Sequence, residues 1–164
     1  MKKLLIFIFV LTTTLSFSQE SLDNLLNRFN DKSVPYVNVN ELAMPKSNPI
    51  ILDTREPIEY EVSHLKDAIC VGYDKFDLKK VTETIPDKDQ PIVVYCSLGI
   101  RSETIGKKLQ KAGYNNVYNL YGGIFEWKNK GFEVYNSKEQ QTDSIHTFSK
   151  TWSKWLRKGI KVAN

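Results

Sequence analysis

The chain is poor in the residues that would hold it together by anything other than a packed core. It has two cysteines in 164 residues, Cys70 and Cys96, far fewer than a small disulfide scaffold carries, so the fold is held by its core and a thiol can be left for chemistry. The two histidines and two cysteines lie at no metal-ligand spacing, and neither a metal nor another cofactor is expected. No repeat and no low-complexity tract interrupts the sequence. Its one long apolar run, Leu4 to Leu15, is about 12 residues where a bilayer-crossing helix needs roughly 20.

Charge of one sign is also scarce. The formal net charge is +4, two positive charges sit at Lys2 and Lys3, and from Lys138 onward six Lys or Arg face only Glu139 and Asp143. The body between therefore carries a slight acidic excess, and the basic surplus belongs to the tail. A nucleic-acid groove would need a basic stripe with interleaved aromatics on the folded body, and none is present.

What is present begins with a leader-like start. Met1-Lys2-Lys3, the apolar run and the small residues of Ser16-Phe17-Ser18 read as a secretory signal over residues 1–18 that leaves a mature chain from Gln19. That reading places the protein outside the cytoplasm, periplasmic or secreted. With 41% hydrophobic residues the remainder can bury one well-formed domain.

Along that remainder, strand-like and helix-like segments alternate. Leu22, Leu25, Leu26 and Phe29 fall at spacings of three and four, predicting a helix within residues 19–34. Strands are predicted at Tyr36–Val39, Ile50–Leu52, Ala68–Val71, Pro91–Tyr95 and Val117–Leu120. Helical stretches are predicted at Glu41–Met44, stopped by Pro45, and at Ile58–Ser63 behind Pro57. Others follow at Leu78–Ile85, at Ser102–Ala112 closed by Gly113, and at Ile124–Lys130. Such alternation predicts an α/β fold: a small, mainly parallel sheet flanked by helices on both faces.

Sites in open parallel sheets lie beyond the carboxyl ends of the strands. Cys96 stands there, followed by Ser97-Leu98-Gly99-Ile100-Arg101 and a helix. Backbone amides, the helix N-terminus and a nearby arginine together stabilise an anion such as a thiolate, a persulfide or a bound oxyanion.

These residues carry a resemblance. Ile51-Leu-Asp-Thr-Arg-Glu56, Glu59-Tyr60, Ser63-His64-Leu65 with Ala68-Ile69, Val93 to Ser102, and Leu120 to Trp127 resemble, in order, the motifs of a single-domain rhodanese, a sulfurtransferase module. The match runs from about Pro35 to Val134, within a domain taken as 35–136. The resemblance implies Cys96 as nucleophile and persulfide carrier, and Ser97, Leu98, Gly99, Ile100 and Arg101 as the substrate-binding loop. It also implies Asp53 and Arg55 as braces of that loop. The implied reaction moves sulfane sulfur from a donor such as thiosulfate to a thiol or cyanide acceptor. Family members commonly read Gly-His-Ile-Pro-Gly-Ala where this chain has Ser63 to Ala68, which leaves the geometry of that turn open. Leu98 and Ile100 make the loop mouth apolar, so the donor need not be plain thiosulfate.

A cysteine-loop phosphatase or arsenate reductase is the rival enzyme, but its loop is one residue longer than the four residues between Cys96 and Arg101. A non-catalytic binding module would normally lack the cysteine. His64 and Cys70 read as structural, Cys70 as core packing on a buried strand. Residues 137–164 lie outside the resemblance. There Ile145, Phe148, Trp152, Trp155 and Leu156 recur at spacings of three and four, predicting an amphipathic helix that docks on the domain. A membrane-surface role for that helix is the less favoured alternative; the oligomeric state is left open.

Overall fold

The computed structural model describes residues 20–46 and 48–163; the proposed signal at 1–18 lies outside them. The chain runs α1 (Leu22–Phe29), β1 (Tyr36–Val37), α2 (Val39–Leu42), β2 (Ile50–Asp53), α3 (Pro57–Val62), β3 (Ile69–Cys70), α4 (Leu78–Thr84), β4 (Ile92–Tyr95), α5 (Arg101–Lys111), β5 (Val117–Leu120) and α6 (Gly123–Asn129). The tail adds β6 (Val134–Tyr135), β7 (Gln141–Thr142), β8 (Ser144–His146), a 3-10 turn (Trp152–Trp155) and β9 (Ile160–Val162).

The five strands from β1 to β5 form one parallel sheet in the order β1-β5-β4-β2-β3. β4, at its centre, is buried along its whole length, which is why it reads as an unbroken apolar run rather than an alternating one. Its side chains divide with the period of two: Val93 and Tyr95 pack with Leu25, Ile124 and Phe125, whereas Ile92 and Val94 pack with Val81, Ile105 and Leu109 on the opposite face. Helices thus cover both faces, as predicted, and the end of β4 lies in the middle of the molecule.

Local chemistry sets the element ends. Ser21 caps α1 by accepting from the Asn24 amide, and Asn38 caps α2 through Glu41. That cap turns the chain at Val39, so the predicted strand Tyr36–Val39 stops at Val37. Pro57 opens α3, and Gly113 follows α5 with φ +92°. In the turn where two glycines are replaced, Asp67 adopts φ +59°, a left-handed conformation that Asp tolerates better than most residues. Cys70 is not core packing: it is half-buried on the edge strand β3 and lines a cavity of about 300 Å³ between α4 and the sheet. Among the described residues no helix is long and apolar enough to cross a membrane.

The tail departs from its predicted helix. β8 pairs in parallel with β9, and only Trp152–Trp155 make a turn of 3-10 helix. The segment is rich in Ser, Thr and β-branched residues, poor helix formers, and Phe148 takes φ +62°, which ends any continuous helix. The apolar residues are still used: Ile145 and Leu156 are fully buried, with Trp152 and Trp155 packed on the same core. Docking on the domain is therefore observed, by strands and a turn rather than by one helix.

Candidate active site

Cys96 follows β4 directly and is 2% exposed. Its loop is held from three sides. At its start, the Thr54 amide and hydroxyl both donate to the Tyr95 carbonyl, each at 2.9 Å. From α6, the Ile124 and Phe125 amides donate to the carbonyls of Cys96 and Ser97 at 2.9 and 3.2 Å. From below, Asn30 and Asn119 each donate a side-chain amide to the Gly99 carbonyl at 2.8 Å. With the loop carbonyls engaged outward, its amides turn inward, and the Gly99 N–H donates to Cys96 Sγ at 3.1 Å. Gly99 has φ +102°, a conformation that only glycine adopts without strain.

The helix that follows completes the cradle. α5 begins at Arg101 and has no side-chain cap, which leaves its N-terminal amides for the site. The Ser102 hydroxyl lies 3.6 Å from Sγ and 2.8 Å from Asn119 Oδ1, within reach to donate its one proton to either. Burial alone would push the Cys96 thiol up and is the largest single influence on it. The Arg101 charge, the Ser102 amide and hydroxyl and the Leu98 amide together outweigh it and hold the thiol below its ordinary value. Cys70 behaves oppositely: burial and the charge of Asp53 push its thiol up.

Arg101 is less available than the sequence implies. Its guanidinium donates bidentately to Glu59 at 2.6 and 2.8 Å, also reaches Ser97 Oγ at 3.2 Å, and lies 4.5 Å from the Phe148 ring centroid. Glu59, 2% exposed, is positioned by the Glu56 amide at 3.1 Å. Burial opposes its ionisation, but the Arg101 contacts hold its carboxyl below the ordinary range. Arg101 and Glu59 thus form a buried ion pair that clamps the loop to α3.

Asp53 and Arg55 are fully buried and paired with each other. Tyr95 donates to Asp53 at 2.6 Å, and Arg55 donates to the Ser63 carbonyl at 2.6 Å. They brace the residue before Cys96 and the Ser63 turn. His64 is buried in that turn, stacked on Tyr60 at 3.8 Å between ring centroids, which is a structural placement.

Over Cys96 opens a cup of about 70 Å³. One wall is the loop at Cys96, Ser97, Leu98, Ile100 and Arg101; the other is Phe148 and Trp152 from the tail. Of the site residues named from the sequence, Cys96, Ser97, Leu98, Ile100 and Arg101 line the cup and Gly99 does not; the second wall, Glu59, Ser102 and Asn119 were not among those named. A polar Asn119 inside an otherwise apolar strand was the signal available.

A parallel sheet with a cysteine at the carboxyl end of its central strand, ringed by inward amides, defines an α/β domain of the cysteine-loop class. Within that class, the rhodanese-like domain model matches residues 38–130, and the chain belongs to this family. It is 33% identical over 97 residues to the thiosulfate sulfurtransferase GlpE of Coxiella burnetii, covering 59% of this chain and 87% of that protein. It is 37% identical over 107 residues to the tRNA uridine(34) hydroxylase of Photorhabdus laumondii, covering 62% of this chain but 30% of that protein. The chain thus spans under a third of that relative's length. A crystal structure of a rhodanese-related protein from Thermoplasma volcanium superposes with a TM-score of 0.54 at 25% identity, covering 61% of this chain and 96% of that one.

Proposed function

We propose that the protein is an exported sulfurtransferase that carries sulfane sulfur on Cys96. The observation that carries this reading is the cradle of the sulfur: the Gly99 amide, the Ser102 hydroxyl and the start of α5 converge on Sγ and favour its anion. The thiolate attacks the outer sulfur of a donor, the donor's bond to that sulfur breaks, and the leaving group departs with the electron pair. From thiosulfate that leaving group is sulfite. The Cys96 persulfide, in the same cradle, then passes its outer sulfur to a thiol or cyanide, and the Cys96 thiolate is regenerated. The kinship with GlpE and the short loop support sulfur rather than phosphorus as the centre attacked. Export rests on the leader-like residues 1–18, and N-terminal sequencing from the native host should find Gln19 first.

Mass spectrometry of the intact protein tests the chemistry. Exposure to thiosulfate or to an organic persulfide should add one sulfur atom to the wild type and to Cys70→Ser, and none to Cys96→Ser. Sulfur on Cys70 instead, or turnover of an aryl phosphate with no sulfur uptake, would overturn the reading.

A further inference from the structure

The segment 147–159 crosses the mouth of the Cys96 cup as a strap fixed at both ends. At one end the β8–β9 ladder holds it, and the Thr147 amide and hydroxyl both donate to the Val162 carbonyl, at 2.8 and 3.1 Å. At the other, the Asn129 side chain accepts from the Arg157 and Lys158 amides at 2.7 and 3.2 Å and donates to the Trp155 carbonyl at 3.0 Å. Between these anchors, Phe148 is held at φ +62° with its amide donating to His146 Nδ1 at 3.1 Å. An aromatic residue in the left-handed region is a local strain that persists only where its surroundings impose it, and such strain concentrates at functional sites. This conformation presents the Phe148 ring to the Arg101 guanidinium. Trp152, resting edge-on against Phe29 at 6.1 Å between centroids, lines the same cup.

The consequence is electrostatic. Of the groups lining the cup, Arg101 is the formal cation; its charge is matched by Glu59, and one face of it lies against Phe148. The rest of the wall is Leu98, Ile100, Trp152 and the loop around Cys96. A thiosulfate dianion entering here loses its water without gaining an unmatched cation, whereas a hydrocarbon group loses little. Resting on the sulfurtransferase reading above, we infer that Phe148 and Trp152 determine donor specificity, selecting small organic persulfides with an uncharged carbon stem over oxyanion donors such as thiosulfate. In that transfer the Cys96 thiolate bonds to the terminal sulfur of R–S–SH, the S–S bond breaks, and R–S⁻ leaves with the electron pair and takes up a proton from water.

The test measures second-order loading of Cys96 by n-propyl persulfide and by thiosulfate in the full chain carrying Cys70→Ser. In Phe148→Ala and Trp152→Ala the propyl-to-thiosulfate rate ratio should fall by about tenfold, the scale of one desolvated charge contact. Phe148→Leu, which keeps an apolar wall, should retain most of it. A second measurement compares alkylation by neutral iodoacetamide and anionic iodoacetate. Both react with the same thiolate, so their ratio is independent of the Cys96 pKa, and it should fall in parallel in the alanine variants. Loading with unchanged ratios in both alanine variants overturns the specificity role and leaves the sulfurtransferase reading standing. Failure of both donors to load the protein overturns the two together.

Discussion

Reactivity at Cys96 depends on a charge that is already half spoken for. Arg101 lowers the thiol while holding Glu59, so the two titrations are linked through one guanidinium. Arg101→Ala should move the pH midpoint of Cys96 alkylation upward, because the remaining donors must then work against burial alone; an unmoved midpoint would show that the amides and Ser102 suffice. The same substitution leaves Glu59 buried without its partner, a loss on the order of 3 to 5 kcal/mol at neutral pH. The sign with pH follows from the direction of the Glu59 shift. In the wild type its carboxyl is held low, so the stability it contributes is present above the ordinary carboxylate range and is lost as pH falls through the lowered value. In the variant burial raises that carboxyl, and acid relieves the buried charge. Urea midpoints should therefore differ widely between the two proteins near neutral pH and draw together as pH falls through the ordinary carboxylate range and below it.

Elements meet the site through backbone, and one glycine shows how closely. A Cβ at Gly123 would stand 2.2 Å from the Cys96 carbonyl oxygen, and φ there is +55°. The start of α6 must come this near for the Ile124 and Phe125 amides to hold the loop carbonyls. Gly113→Ala provides the control, since φ is +92° but nothing lies within 4 Å. Gly113→Ala should cost about 1 kcal/mol, the ordinary penalty for a side chain in that conformation. Gly123→Ala should exceed it and also slow Cys96 loading; equal melting temperatures would mean that α6 can retreat without effect. Strands and helices up to α6 were legible because each repeats a period that one buried face imposes: β4 buries both faces and reads as a run, and α1 buries Leu25 and Leu26 and reads as a stripe. The Cys96 loop was legible through its cysteine, glycine and arginine. The tail was not, because Ile145 and Leu156 reach the core from separate short elements, and their spacing imitates a helix. Glu59 escaped because its partner lies 42 residues away in sequence, a pairing that only the crossing of α3 over the loop creates.

At the scale of the whole molecule, the tail is both a stabiliser and a wall of the site. Ile145 and Leu156 are buried to 0% and 1% exposure against the face of the sheet that also holds Phe125 and Leu98, and filling that space with a smaller side chain leaves a cavity. Leu156→Ala should lower stability by about 2 to 5 kcal/mol. Truncation after Ser137 removes both residues together with Trp152 and Trp155, and should lower the melting temperature further and reduce solubility by baring the core beneath. A surface anchor makes the opposite forecast: loss of the tail would leave the melt unchanged, and the full chain would bind vesicles containing anionic lipid with a blue shift of tryptophan emission. The burial of Leu156 and the fixing of the strap by Asn129 and β9 commit these apolar groups to the protein's own core, so vesicles should leave the emission in place. The truncated protein keeps Cys96, Gly99, Arg101 and Ser102, all upstream of the cut, and should still take up sulfur below its own melting temperature. Its cup, however, has lost the Phe148 and Trp152 wall. A protein that melts lower yet accepts thiosulfate more readily than the full chain would establish that one segment performs both tasks; an unchanged melt would remove the first of them.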